Sequence, residues 1–177
     1  LNVSKLSLDH KLIIPKGYTF KIKPGTSIDL INDASILTYS PIQFIGSPDN
    51  PILIQSSDKT GQGILIINAD GLSVIDNVIF NDLTNPKDYG WQIPGAITTY
   101  STDIEIKNTL FENNYSEDFL NTIKSKFKII NSNFKTTKSD AFDSDFSIGE
   151  IINCAFLDIG NDAIDFSGSN VTINSIS

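Results

Sequence analysis

The chain has 177 residues, enough for one domain with a core of its own. Its formal net charge is -8, all 13 basic residues are Lys, and Asp outnumbers Glu by 17 to 4, which excludes the basic stripe that a nucleic-acid binder needs. A single cysteine, Cys154, excludes an internal disulfide, and no apolar run approaches the length of a membrane-spanning helix.

The chain begins at Leu1 with no initiator Met and no signal peptide, as a segment processed or excised from something longer would. Residues 1–60 show no fixed period but read as short Ile-rich strands punctuated by Pro and Gly. Leu12–Ile14, Tyr18–Ile22, Ser27–Ile31, Ala34–Tyr39, Ile42–Ile45 and Ile52–Gln55 are the expected strands. A strand at Val3–Leu8 is expected to cover the N-terminal end of the core.

From Gly61 a repeat takes over. Asp140, Ala141 and Asp143 recur 22 residues on as Asp162, Ala163 and Asp165. Aligning on Phe80, Phe111, Phe134 and Phe156 gives two further apolar columns. One holds Ile66, Ile97, Leu120, Phe142 and Ile164; the other holds Ile75, Ile106, Ile129, Ile151 and Ile173. Asn77, Asn108, Asn131 and Asn153 form a polar column two residues after the second. A period near 22 with columns in register predicts a stacked all-β solenoid. Stacked Asn residues can bond their own turns and one another. Cys154 falls among the rung residues and is expected as a buried thiol.

The phrases IIPKGYTFKIKPGTSIDL and IQFIGSPDNPILIQSS, together with the Asn column, resemble the right-handed parallel β-helix class shared with pectin lyases. That resemblance implies a polysaccharide-active or structural role and a secreted or cell-surface location. It also has gaps: the Gly-His-Gly signature of the polygalacturonase-like members is missing, and there is no Arg for a lyase. The organisation expected is one continuous domain, with 1–60 as cap and opening coils and 61–177 as regular coils. An insertion falls at 85–94, NPKDYGWQIP. The last coil, ending at Ser177, is incomplete, so further chain or another protomer is expected to continue or cap it.

Alternation along the strands places Asp143, Asp145 and Asp165 outward on adjoining coils, with Thr98 and Asn121 in the same column on earlier coils. Three readings stay open. Asp143, Asp145 and Asp165 could hold Ca²⁺; Asp143 and Asp165 could be a hydrolytic acid pair; or the Asp residues form a solvated ladder, with Asp140 and Asp162 capping turns. Lys124, Lys126 and Lys128 alternate, and Lys126 is the candidate base for a lyase; an exposed Lys row that protects the sheet is the alternative. Tyr89 and Trp91 on the insertion, outward Tyr100, and Asn121 are the candidate sugar contacts. Trp91 could instead pin the insertion to the stack. His10 carries no catalytic weight. The leading expectation is a polysaccharide-engaging β-helix domain; a lyase or glycoside hydrolase, and a non-catalytic shaft, are the alternatives.

Overall fold

The computed structural model describes residues 4–177, and these contain strands and turns but no helix. The strands run parallel and stack as a β-solenoid of about 7 turns, roughly 23 residues apart. The coils contribute strands to three faces, the last described coil only to the first two. The first face is a 7-stranded sheet. It runs from Leu12–Ile14 through Ile36–Thr38, Ile64–Ile67, Gly95–Tyr100, Asp118–Ile123 and Asp140–Asp145 to Ile164–Ser167. The second runs from Phe20–Ile22 to Asn170–Ile176, and the third begins at Lys5–Leu8. One long strand, Ile148–Ile159, bends at Asn153 and serves the second and third faces in turn. No helix among the described residues is long and apolar enough to cross a membrane.

The core follows from the alternation. Inward residues of the three faces meet at the axis and stack on their equivalents one coil away. Phe111 lies 4.4 Å from Phe134 with rings 2° apart, and Phe134 lies 5.1 Å from Phe156 at 5°. Phe80 extends the stack at 5.3 Å. The Ile75 column is in register across every coil to Ile173. Cys154 is buried in a rung, as expected.

Two sequence expectations shift. Ile97 pairs with Ile64, not with Ile66, which pairs with Thr99. The corner after Ile64–Ile67 is two residues longer than those below it, so an alignment anchored on Phe80 slips by two. A slip of two keeps the facing, and both Ile64 and Ile66 are fully buried. Lys5–Leu8 forms no lid over the end. It pairs in parallel register with Ser27–Leu30 and is the first rung of the third face; Val3 lies outside the described residues. Residues 12–55 belong to the same three sheets despite their irregular steps: Phe20 pairs with Ile42, 22 residues on, but Gln43 pairs with Val74, 31 on.

The later coils turn the corners after their first and second faces through single residues in left-handed backbone. After the first face these are Ser101 (φ 48°), Lys124 (51°), Phe146 (50°) and Gly168 (67°). After the second face they are Asn77, Asn108, Asn131 and Asn153, with φ of 52°, 47°, 49° and 52°. Asn tolerates this conformation because its short amide bonds locally. The Asn side chains also bond along the stack: Asn153 Nδ2 donates to Asn131 Oδ1 at 2.8 Å, and Asn108 Nδ2 donates to Asp76 Oδ1 at 2.9 Å. Gly168 is the corner where a side chain has no room, since a Cβ there would meet the Phe146 ring at 2.8 Å.

A second ladder escaped the sequence reading. Just past the first corner, Thr102, Ser125, Ser147 and Ser169 each accept the backbone N–H of the residue one coil earlier, at 2.9–3.2 Å. The available signal was a pair of hydroxyl residues three apart, Thr99/Thr102, Thr122/Ser125 and Ser144/Ser147, recurring at the coil step.

The aromatic stack sets a stability prediction. Phe111→Ala removes a fully buried ring between two stacked neighbours and should cost about 3–5 kcal/mol. Phe156, only partly buried, should lose less as Ala. Urea denaturation of both variants measures the difference, and equal losses would contradict a graded core.

Candidate functional site

The outward side of the first face carries the chemistry. Register places Thr98, Asn121, Asp143 and Asp165 in one column on four successive coils. Tyr100, Ile123, Asp145 and Ser167 form the next column. The expected facing is therefore observed, but the exposure is not uniform. Thr98 and Asn121 have no exposed surface, Asp143 and Asp145 are half-buried, and Asp165 is exposed. The chain closes over Asn121 at Pro94–Gly95. A Cβ on Gly95 would meet Thr98 Oγ1 at 2.6 Å and Asn121 Cβ at 2.8 Å, so only glycine lets the strands approach there.

Sequence reasoning missed Asp118. It opens its strand in register with Gly95 and Asp140, is 3% exposed, and its backbone N–H donates to Pro94 O at 3.2 Å. Asn121 sits between two acids. Its Nδ2 donates to Asp118 Oδ2 and to Asp143 Oδ2, both at 2.9 Å. Asn121 is therefore a bridge inside the wall and not a surface contact for a large ligand. The signal that could have found Asp118 is its position: it stands 22 residues before Asp140, as Asp140 stands before Asp162.

Burial pushes the Asp118 carboxyl up to about 7; the Asn121 amide opposes this, and the negative Asp143, Glu117 and Asp140 add to it. Burial also pushes Asp143 up to about 6, with Asp145, Asp165 and Asp140 adding repulsion and the Ser144 N–H opposing.

Asp143, Asp145 and Asp165 do not converge as a cation site, because the Asp143 carboxyl turns back one coil to Asn121. The acids whose oxygens converge, within 4.8 Å, are Asp140, Asp162 and Asp165. Asp140 Oδ1 already accepts from Asp162 N–H at 3.0 Å, Asn161 Nδ2 at 2.8 Å and Ser139 Oγ at 3.2 Å. That geometry closes the turn ahead of the last strand of the face.

Lys126 stands on the second face, past the corner, and its backbone N–H donates to Asp103 Oδ1 at 2.9 Å. The three lysines do not share a strand face. Lys124 is the corner residue and lies over the Tyr100 ring at 5.6 Å, whereas Lys128 pairs with Glu150 at 2.9 Å. No ion pair joins Lys126 to the acids of the first face among the described residues.

The insertion is a small antiparallel hairpin, Lys87–Asp88 with Trp91–Gln92. It leans back along the earlier coils. Lys11 pairs with Asp88 and lies 5.5 Å from the Trp91 ring centroid, and Lys87 N–H donates to Gln62 Oε1 at 3.0 Å. Tyr89 at the tip is fully exposed, and Trp91 is 42% exposed. The observed contacts thus tie the hairpin to the earlier coils and do not bring its aromatics onto Asp143 or Asp165.

No family model matches the chain, and neither a curated protein nor a solved structure does. The geometry itself defines the class, a parallel β-solenoid with an acidic, amide-bridged wall on its first face.

The raised carboxyls make stability depend on pH. A carboxyl in the unfolded chain titrates near about 3.9. The folded chain holds protons at Asp118 and Asp143 that the unfolded chain releases above that value. Their contribution is complete below about 4 and is lost as pH rises through about 6 and 7. Asp58, held down to about 2 by the Asn32 N–H and by Thr60 and Ser56, acts oppositely: its contribution is present above about 4 and is lost as pH falls through about 2. Thermal melts should therefore give a Tm that falls from about pH 5 to about pH 8. Asp118→Asn, which keeps an acceptor for Asn121, should remove part of that fall. A Tm that rises over this interval would contradict the assignment.

Proposed function

We propose that this solenoid is a secreted or cell-surface module that engages a polysaccharide along its first face. The supporting observation is the outward strip of Tyr100, Asp143, Asp145 and Asp165, stacked coil on coil. No ion pair engages these acids among the described residues. Carboxyls and a ring edge in a row suit a ligand that offers hydroxyl donors and apolar C–H faces repeatedly along its length. Tyr89 and Trp91 add an aromatic surface toward the N-terminal end of the stack. The resemblance of the opening coils to pectin-lyase-like proteins supports the same ligand class.

A second reading, cleavage of the glycan, is favoured by the position of the Asp143 carboxyl near 6. A carboxyl in that range can protonate a leaving oxygen at mild pH, and exposed Asp165 on the next coil would activate water. Lys126 has no part in it, standing on another face.

Calorimetric titration with uronate polymers and with neutral polymers, with and without Ca²⁺, tests the binding reading; an assay for new chain ends tests cleavage. Trp91→Ala should weaken glycan affinity about tenfold, about 1.4 kcal/mol. Failure of every glycan to bind would sink the binding reading and leave a non-catalytic shaft. New chain ends that vanish in Asp165→Asn would establish the enzyme.

A further inference from the structure

Among the described residues, two buried side-chain oxygens have no hydrogen-bond partner: Asn121 Oδ1 and Asp143 Oδ1. They belong to two side chains already joined by Asn121 Nδ2 donating to Asp143 Oδ2 at 2.9 Å. Both are acceptors, so neither can satisfy the other while Asp143 is ionised. The amide cannot flip to relieve this. Its two N–H donors are spent on Asp118 Oδ2 and Asp143 Oδ2, so a flip would set an oxygen against two carboxyls.

We propose that Asp143 and Asn121 form a closed acid–amide ring, with one proton on Asp143 Oδ1 donated to Asn121 Oδ1, so that the first face presents a carboxylic acid in place of a carboxylate. One proton removes both orphans at once. No such orphan is found on Asp118, which accepts the other amide N–H. The groups facing Asp143 agree. Asp118 and Asn121 lie on the preceding coil, with Glu117 beside them; Asp140 and Asp145 share its strand; Asp162 and Asp165 lie on the following coil. All of the titratable groups in this set are acids, and Lys124 on the preceding coil is turned to Tyr100. Burial and repulsion both favour the neutral form.

The consequence for binding rests on the polysaccharide reading. With the ring closed, the wall carries one negative charge fewer, and an anionic uronate chain meets less repulsion. Affinity for such a chain should then be higher at pH 5 than at pH 8.

The ring is tested without any ligand. Carbon-13 NMR of aspartate-labelled protein should show the Asp143 carboxyl titrating near pH 6. Asp143→Asn places an N–H donor where the proton would sit. It should match the wild-type Tm at pH 5 and exceed it at pH 8, whereas Asn121→Leu should lower the Tm at pH 5. A wild-type Asp143 signal that stays ionised down to pH 4 would overturn the ring, whatever the variants do. Uronate oligomers should bind the wild type several-fold more weakly at pH 8 than at pH 5, and Asp143→Asn should flatten that difference. If no glycan binds at either pH, the polysaccharide reading fails while the NMR titration still decides the ring.

Discussion

Everything in this molecule depends on the hydrogen-bonded register between one coil and the next. Parallel strands about 4.8 Å apart place each residue over its equivalent, and that superposition does three jobs. It turns single Phe residues into the stack from Phe80 to Phe156. It lets corner residues satisfy one another along the axis, as Asn153 does for Asn131. It also forces like side chains together when a column is charged, which is why Asp143 meets Asp165 on the next coil. The same register that builds the core therefore builds the electrostatic tension of the outer wall.

Much of this could be read from the sequence, because the period is a direct consequence of the register. The Phe and Ile columns and the Asn ladder were all recoverable, since each repeats one residue type at one spacing. What escaped had a physical reason. The Ile64 register slipped because a longer corner breaks the period without altering the inward pattern. The hydroxyl ladder was hidden because Thr and Ser exchange freely as acceptors, so no single letter repeats. Asp118 was passed over because its coil follows the insertion, and alternation alone says nothing about how deeply an outward residue is covered.

Burial divides the acids that the sequence treats alike. Asp165 stands in solvent, Asp143 is half covered, and Asp118 is enclosed where the chain passes at Pro94 and Gly95. Burial thus raises the carboxyls of Asp118 and Asp143 on successive coils, and the missing Cβ at Gly95 lets the chain come close over the Asn121 that bridges them. An outward-facing column in a solenoid is a starting point for chemistry; the chain that lies across it decides what the chemistry is.

The hairpin illustrates a separate freedom. Its base is clamped by Asn85 Nδ2 donating to Ile93 O at 2.7 Å and by Ile93 N–H donating to Pro86 O at 3.0 Å. It leaves and rejoins the stack without displacing Phe80 from Phe111 or Ile75 from Ile106. Inheritance of the scaffold and inheritance of its decoration are thereby uncoupled. A hairpin of another length or composition could be exchanged at that clamp while the rungs beneath keep their partners. What the outer surface recognises can then diversify on a foundation that stays the same.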